Sequence, residues 1–212
     1  MNTAPRLIRH AQGTAPDVLT RIHEESVNMA VWQRVLPVHI ADFCALLLSS
    51  GDPLAHALSL ELPDENTSPN LQGLAQRFSD LEGYTGFIAD VGWLVSAYAC
   101  LLGVKRVGLR LRALDNAMCP RFHVDHVPAR LVTTYSGPGS EWLEEGVMAR
   151  QHLGNDQVEA PDRTLIQQIK AGDVALLKGE KWPGNQGAGL IHRSPALKSG
   201  ERRLILTLDW LA

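Results

Sequence analysis

The sequence predicts an α+β fold in which a helical N-terminal region, residues 1–105, packs on a C-terminal all-β domain, residues 106–212. Apolar residues recur at helical spacing before Gly103, whereas the chain after it consists of short alternating or β-branched runs separated by turn residues. The segment 87–102 is apolar on nearly every side and therefore needs a buried position. Several short strands separated by turns indicate a sandwich or a double-stranded barrel.

The composition is that of a globular protein with one core and a helical addition to it. Of 212 residues, 45% are hydrophobic and 20% charged, and the formal net charge is −3. No basic run points to nucleic acid, and no apolar stretch is long enough to span a bilayer. Three widely spaced cysteines and the lack of a signal-peptide pattern predict a cytoplasmic protein. The expected partner is a small-molecule co-substrate, and a homodimer is left open.

Four helices are predicted in the N-terminal region, each from apolar residues three or four positions apart. Gly51 to Asn70, rich in Pro, Asp, Glu and Asn, is expected to be a loop. Gly103 is expected to end the last helix. The helices span residues 17–31, 39–50, 71–81 and 87–102.

Five strands are predicted after Gly103. The first alternates apolar and basic residues, which is typical of a half-buried strand. The others are rich in Val, Ile, Leu and Thr, and turn sequences such as Ser136–Ser140 separate them. They span residues 107–114, 130–135, 166–170, 174–177 and 202–210.

The main candidate for chemistry is the His123-Val-Asp125 motif. Residues two apart on a strand point to the same side, so the imidazole and the carboxylate would converge. Together they supply two-thirds of the facial triad that holds ferrous iron. His192, which follows a distant strand signal, is the candidate third ligand. The motif alone carries little weight, because His-x-Asp is common by chance.

An arginine in the last strand is the candidate anchor for an anionic co-substrate. Arg202 shares a face with Leu204, Leu206 and Leu208, and a face rich in leucine is expected to point into the barrel. Arg203 would then be solvated. A buried guanidinium needs an anion, and a keto acid would supply a carboxylate that matches its planar fork.

The order His123-Val-Asp125, Gly172-Asp173, His192 and Gly200-Glu-Arg202 resembles that of the iron(II)/2-oxoglutarate-dependent dioxygenases over residues 107–212. The resemblance implies a cupin-like double-stranded β-helix, or jelly roll, with helices packed on one side. It also implies Fe(II) on His123, Asp125 and His192, and 2-oxoglutarate held by Arg202. Tyr135 or Thr133, on the strand after the motif, would help to bind the same acid.

The segments around Cys119 and Ser136 also resemble a bacterial family of unassigned function, associated with zinc-limitation gene neighbourhoods. A rival hypothesis is therefore a zinc-binding protein without oxygenase chemistry, linked to metal homeostasis. Cys119, His123 and His126 have suitable ligand spacing, with His192 or Asp125 as a fourth ligand.

Two further roles are left open by the sequence. Cys119 could act as a nucleophile with a histidine base. Trp142 and Trp182, in flanking loops, are candidates for substrate contacts or for aromatic lids over the barrel ends.

Overall fold

The computed structural model describes residues 8–64, 67–155 and 161–211. Within these ranges the chain forms a mixed, sheet-rich α+β fold with two α-helices, α1 (Val38–Ser49) and α2 (Tyr84–Leu102). Four 3₁₀ helices span Pro16–His23, Gln76–Phe78, Arg150–His152 and Arg163–Leu165. The ten strands are β1 (Arg9–Gly13), β2 (Val27–Trp32), β3 (Leu54–Glu61), β4 (Arg106–Leu114), β5 (Ala129–Ser136), β6 (Glu141–Leu143), β7 (Ile166–Gln168), β8 (Val174–Lys178), β9 (His192–Arg193) and β10 (Arg203–Trp210).

The strands form a major sheet of seven strands and a minor sheet of three. The order in the major sheet is β1-β2-β8-β5-β10-β4-β3, and in the minor sheet β7-β6-β9. All neighbouring strands are antiparallel except β1 and β2. The predicted helices 39–50 and 87–102 and the five predicted strands are confirmed.

The expectation of an entirely helical N-terminal region is wrong, since this region contributes three strands to the major sheet. Strand β2 pairs with β8 and β3 pairs with β4, so the sheet crosses the boundary predicted near residue 105. Strand β2 is buried along nearly its whole length and has no polar face, so its apolar run resembled a helix. Strand β3, inside the predicted 51–70 loop, is an edge strand with short, exposed residues on one face.

The helix predicted over residues 71–81 is also absent from the described chain. Only Gln76–Phe78 forms a single 3₁₀ turn there. Ala75, immediately before it, has φ 50°, in the left-handed region, which an α-helix cannot include. The apolar residues Leu71, Leu74 and Phe78 are still buried, so burial alone produced the helical spacing.

The major sheet separates two cores, and its central strands β2, β8, β5 and β10 contribute residues of opposite faces to both. The larger, helix-side core contains Leu204, Leu206 and Leu208 of β10, packed with residues of α1 and α2. The smaller, inter-sheet core lies between the two sheets and joins Trp142 of the minor sheet to residues of the major sheet. Its members are Met29, Val31, Val132, Trp142, Ile169, Ala175, Leu177, Leu190 and Ile205.

Contrary to the expectation from the sequence, helix α2 is long and apolar enough to cross a bilayer by length and composition alone, but core helices of globular proteins pass the same test. Its inner face, which includes Phe87, Val91 and Leu94, belongs to the helix-side core. Gly103 follows it with φ 64°, the left-handed conformation that ends helices and favours glycine.

Candidate metal centre

A two-bond backbone bridge places His123 beside His192. The amide of each residue donates to the carbonyl of the other, both at 3.0 Å, as in an antiparallel pair. Trp142 of β6 pairs with His192 on its other side. The His123 segment therefore extends the minor sheet next to β9, and the two imidazole rings lie with centroids 4.6 Å apart.

The hydrogen bonds of both imidazoles leave their Nε2 lone pairs free. Nδ1 of His123 lies 2.9 Å from the carbonyl oxygen of Arg121, and Nδ1 of His192 lies 3.1 Å from that of Leu190. A carbonyl oxygen only accepts, so each Nδ1 carries a proton, and in the neutral form of either ring Nε2 is the acceptor. A hydrogen bond of this kind, from Nδ1 to a carbonyl oxygen, orients the ring of a metal-binding histidine.

Asp125 completes a group of three ligands. One ligand atom from each of His123, Asp125 and His192 lies within 4.8 Å of the others. The Oδ1 atom of Asp125 accepts a 2.6 Å hydrogen bond from Nη1 of Arg130. The Oδ2 atom is buried without a hydrogen-bond partner in the described chain and lies 3.4 Å from Nε2 of His192.

Burial keeps His192 neutral. It lowers the pKa of the imidazole, outweighing the opposite effect of the Asp125 carboxylate, and the neighbouring His123 lowers the pKa further. Neutral His192 presents a lone pair to a carboxylate oxygen, and two acceptors in contact repel each other. A cation bound by both would remove this repulsion.

Arg203 is a buried cation in the same inter-sheet interior. Its side chain is on the Ile205 face of β10, and the residue is 1% exposed. Its Nη2 donates to the hydroxyls of Thr134, at 2.9 Å, and Ser140, at 3.2 Å. Its Nε and Nη1 have no hydrogen-bond partner in the ranges described. Burial lowers the pKa of this guanidinium to about 10.

The choice of Arg202 as the inward arginine is wrong, because the leucine face of β10 packs against the helices and not into the inter-sheet space. Arg202 lies on that helix side, where its Nη1 and Nη2 donate to the carbonyl oxygens of Leu48 and Asp52, at 2.7 and 2.8 Å. The opposite face of β10, which begins with Arg203, points between the sheets.

Thr133 and Tyr135 lie outside the site for the same reason, because the wrong face of their strand was expected to point between the sheets. Tyr135 belongs to the helix-side core, and its hydroxyl donates to Oδ2 of Asp90 on α2, at 2.6 Å. Thr133 alternates onto the same side and is fully buried. Thr134, between them, is the residue that reaches the inter-sheet arginine.

The other candidates fall in different places. Cys119 and His126 are exposed and are not part of the ligand group formed by described residues. Trp142 lies beside His192 in the inter-sheet core and stacks edge-on against His10, with centroids 4.9 Å apart. Trp182 packs on the helix-side core, with His23 and the Lys178 ammonium against its ring.

Sequence reasoning did not single out Arg130, Thr134, Ser140 and Asp209. Correct strand phase would have placed Arg130 and Thr134 on one inner face of β5, together with Val132. Ser140 follows a turn, and no local signal marks it. Asp209 is marked only as the one carboxylate in a mostly apolar strand.

The residues fit a ferrous ion with a bound keto acid. Two imidazoles and one carboxylate form the 2-His-1-carboxylate donor set, which leaves coordination positions open. The carboxylate oxygen that faces His192 lacks a partner, and so do two nitrogens of Arg203. One divalent cation and one dicarboxylate would satisfy both.

The fold and the ligand group together place this protein in the class of sheet-rich α+β proteins that share their fold with a solved protein described as an oxygenase and that carry a His-Asp-His group able to hold a metal ion. A Shewanella oneidensis protein described as an oxygenase superposes with a TM-score of 0.52 at 10% identity, covering 96% of this chain and 89% of that one. A Caulobacter crescentus protein described as a 2OG-Fe(II) oxygenase family member gives 0.47 at 13%, covering 96% and 86%. A Pseudomonas putida prolyl-4-hydroxylase gives 0.49 at 12%, covering 92% and 97%.

The family itself is identified by sequence. Residues 13–209 match the family described as protein of unknown function (DUF1826), and the chain belongs to that family. No curated protein matches the sequence. The family assignment gives no activity, and the similarity to solved structures gives the fold alone.

Proposed function

We propose that this protein is an iron(II)- and 2-oxoglutarate-dependent oxygenase that hydroxylates a substrate still to be identified. The observation that carries the proposal is the pairing of a His-Asp-His group with a buried arginine whose Nε and Nη1 lack partners, both facing the space between the sheets. A metal-binding protein without a co-substrate would need the three ligands but not Arg203. The arginine therefore favours the oxygenase over the zinc-binding alternative.

Each residue has a defined part in this proposal. His123, Asp125 and His192 would hold Fe(II), with the two imidazoles oriented by their Nδ1–H bonds to carbonyl oxygens. Arg203 would bind the distal carboxylate of 2-oxoglutarate through Nε and Nη1, while Thr134 and Ser140 hold its remaining nitrogen. The iron would supply oxidative decarboxylation of the keto acid coupled to oxygen insertion into a C–H bond.

The strand that links the two halves of the site is β6. Ser140, which binds the arginine, precedes Trp142, the partner of His192, by two residues. Two residues of extended chain span about 6.6 Å. The keto acid would therefore lie between Arg203 and the ligand group, beside the ring of Trp142 and away from bulk water.

The finer architecture belongs to the same proposal. The antiparallel order β8-β5-β10-β4 in one sheet and β7-β6-β9, extended by the His123 segment, in the other supports a cupin-like double-stranded β-helix, or jelly roll. A cytoplasmic location and a homodimeric state complete the proposal. Substrate contacts through Trp142 fit its place beside His192, whereas Trp182 faces the helix-side core.

The test is an anaerobic titration of the Fe(II)-loaded protein with 2-oxoglutarate, followed by the metal-to-ligand charge-transfer absorption. Arg203→Ala is expected to lose about a hundredfold or more in affinity, because a buried charge-assisted pair is removed. Arg202→Ala is the matched control and is expected to bind like the parent. A parent without the absorption, or equal losses in both variants, would contradict the proposal.

A further inference from the structure

We infer that Arg130 and Asp209 are positioning residues that fix Asp125 as a metal ligand through a single oxygen. The inference rests on the proposed metal site and concerns residues to which the sequence analysis gave no role. Neither residue is placed in contact with the metal or the keto acid. Both act through the carboxylate of Asp125.

The guanidinium of Arg130 is held on two sides. Its Nη1 donates to Oδ1 of Asp125, at 2.6 Å. Its Nε donates to Oδ1 of Asp209, at 2.7 Å, and its Nη2 to Oδ2 of the same carboxylate, at 3.2 Å. This two-point contact with Asp209 fixes the plane of the guanidinium, and therefore the direction of the third bond.

The sheet itself aligns the pair. Arg130 on β5 and Asp209 on β10 are direct antiparallel partners, and both lie on the face that points between the sheets. Asp209 is almost completely buried and also pairs with Arg110 of the next strand. Charges of opposite sign therefore alternate from Asp125 through Arg130 and Asp209 to Arg110.

This arrangement decides how Asp125 can bind a metal. Asp125 lies outside the regular strands, so its own backbone pairing does not set the direction of its side chain. Arg130 occupies Oδ1 and leaves Oδ2 facing Nε2 of His192. The carboxylate is thereby restricted to binding through one oxygen, which keeps a coordination position open that two-oxygen binding would fill.

Asp209 has an electrostatic part as well as a geometric one. An unbalanced guanidinium beside the carboxylate ligand would draw electron density from it and weaken its attraction for a divalent cation. Asp209 offsets that charge at hydrogen-bond distance from Arg130. The prediction is that Asp209 influences the metal only while Arg130 is present.

A second salt bridge of the chain provides a matched control. Arg193 pairs with Glu141 at 2.6 Å, and its side chain is 23% exposed, compared with 22% for Arg130. It is adjacent to His192 in sequence, but strand alternation directs it to the other face of the minor sheet. Losing this pair should cost similar stability without changing a metal ligand.

The experiment uses cobalt(II) as the probe, with the full chain, and measures both affinity and the visible ligand-field absorption. The variants are Arg130→Gln, Asp209→Asn, the double variant and Arg193→Gln, each checked for folding by urea denaturation. Arg130→Gln is expected to lose about tenfold to a hundredfold in Co(II) affinity, the usual cost of losing a side chain that hydrogen-bonds a metal ligand, and to change the absorption spectrum. Asp209→Asn should also lower the Co(II) affinity and change the absorption spectrum in the same direction. The double variant should lose no more Co(II) affinity than Arg130→Gln alone.

Four results would overturn the inference. These are an unchanged affinity and spectrum in folded Arg130→Gln, additive losses in the double variant, an equal loss in Arg193→Gln, and a parent that binds no cobalt. The last result alone would also remove the proposed function. If Arg130→Gln does not fold, Asp209→Asn decides by itself, because an unchanged affinity and spectrum there would contradict the inference.

Discussion

Replacing Arg203 by methionine should stabilise the ligand-free protein while abolishing its response to 2-oxoglutarate. The residue is 1% exposed, and two of its three guanidinium nitrogens lack partners among the residues described. Burying an unpaired charge costs free energy, and methionine keeps an unbranched apolar stem of similar length. A residue kept for stability would show the opposite effect.

The size of the effect follows from two opposing contributions. Burial lowers the pKa of Arg203 to about 10, and this decrease corresponds to about 3 kcal/mol against the charged form. The pKa lies above neutral pH in both the folded and the unfolded chain, so this cost is present at pH 7. The variant loses hydrogen bonds to Thr134 and Ser140, which contribute about 1 kcal/mol each. The net gain is about 1 kcal/mol, or about 2–4 °C in Tm for a chain of this size.

The assay is thermal and urea unfolding of the metal-free protein, repeated with Mn(II) and with Mn(II) plus 2-oxoglutarate. Ligand at a hundred times its Kd should stabilise the parent by about 2.7 kcal/mol and leave Arg203→Met unchanged. The order of stability of the two proteins should therefore reverse when 2-oxoglutarate is added. Destabilisation of metal-free Arg203→Met by 2 kcal/mol or more, or an equal ligand response in both proteins, would refute the reasoning.

Three other predictions follow from the same structure. Asp125→Ala should abolish Fe(II) binding in an equilibrium titration. Its unfolding midpoint should be nearly unchanged, because Arg130 keeps its hydrogen bonds to Asp209. Global unfolding of the variant would mean that Asp125 is a structural residue. Tyr135→Phe should lower stability by about 1–2 kcal/mol, because the hydroxyl loses its hydrogen bond to the partly buried Asp90 carboxylate. Its affinity for 2-oxoglutarate should be unaltered, and a weaker affinity would mean that Tyr135 belongs to the site. The metal-free protein should lose stability as pH falls below 6.5, because burial lowers the pKa of His192 in the folded chain and the unfolded chain therefore binds the proton more readily. Urea midpoints of His192→Gln, measured over the same pH range, should lack this part of the pH dependence.

The sequence could not predict which face of a buried strand points between the two sheets. Alternation divides β10 correctly into a leucine face and a face with Arg203 and Ile205, but it does not say which face meets the other sheet. Both faces are buried, so exposure gives no guide. The leucine face packs against α1 and α2, which form the larger core. Since strand periodicity is two, one wrong choice exchanged Arg202 for Arg203, and the same slip on β5 favoured Tyr135 over Thr134.

The N-terminal strands were hidden for a related reason. Strand β2 lies between β1 and β8 and is covered on both faces, so its sequence has the continuous apolar character that a buried helix also has. The long helix α2 and the His123-Val-Asp125 motif were easier to predict from the sequence, because each depends on local residues. The structure brings together His123, Asp125 and His192, which the motif and its distant histidine had suggested.

Anomalous diffraction from crystals grown without oxygen, with Fe(II) and 2-oxoglutarate, would test the central claim most directly. We expect an iron peak coordinated by Nε2 of His123, Nε2 of His192 and Oδ2 of Asp125, at about 2.0–2.2 Å from each. We also expect a carboxylate of 2-oxoglutarate on Nε and Nη1 of Arg203. Iron bound at Cys119 and His126, or an Arg203 that meets no carboxylate while the three ligands hold iron, would contradict it.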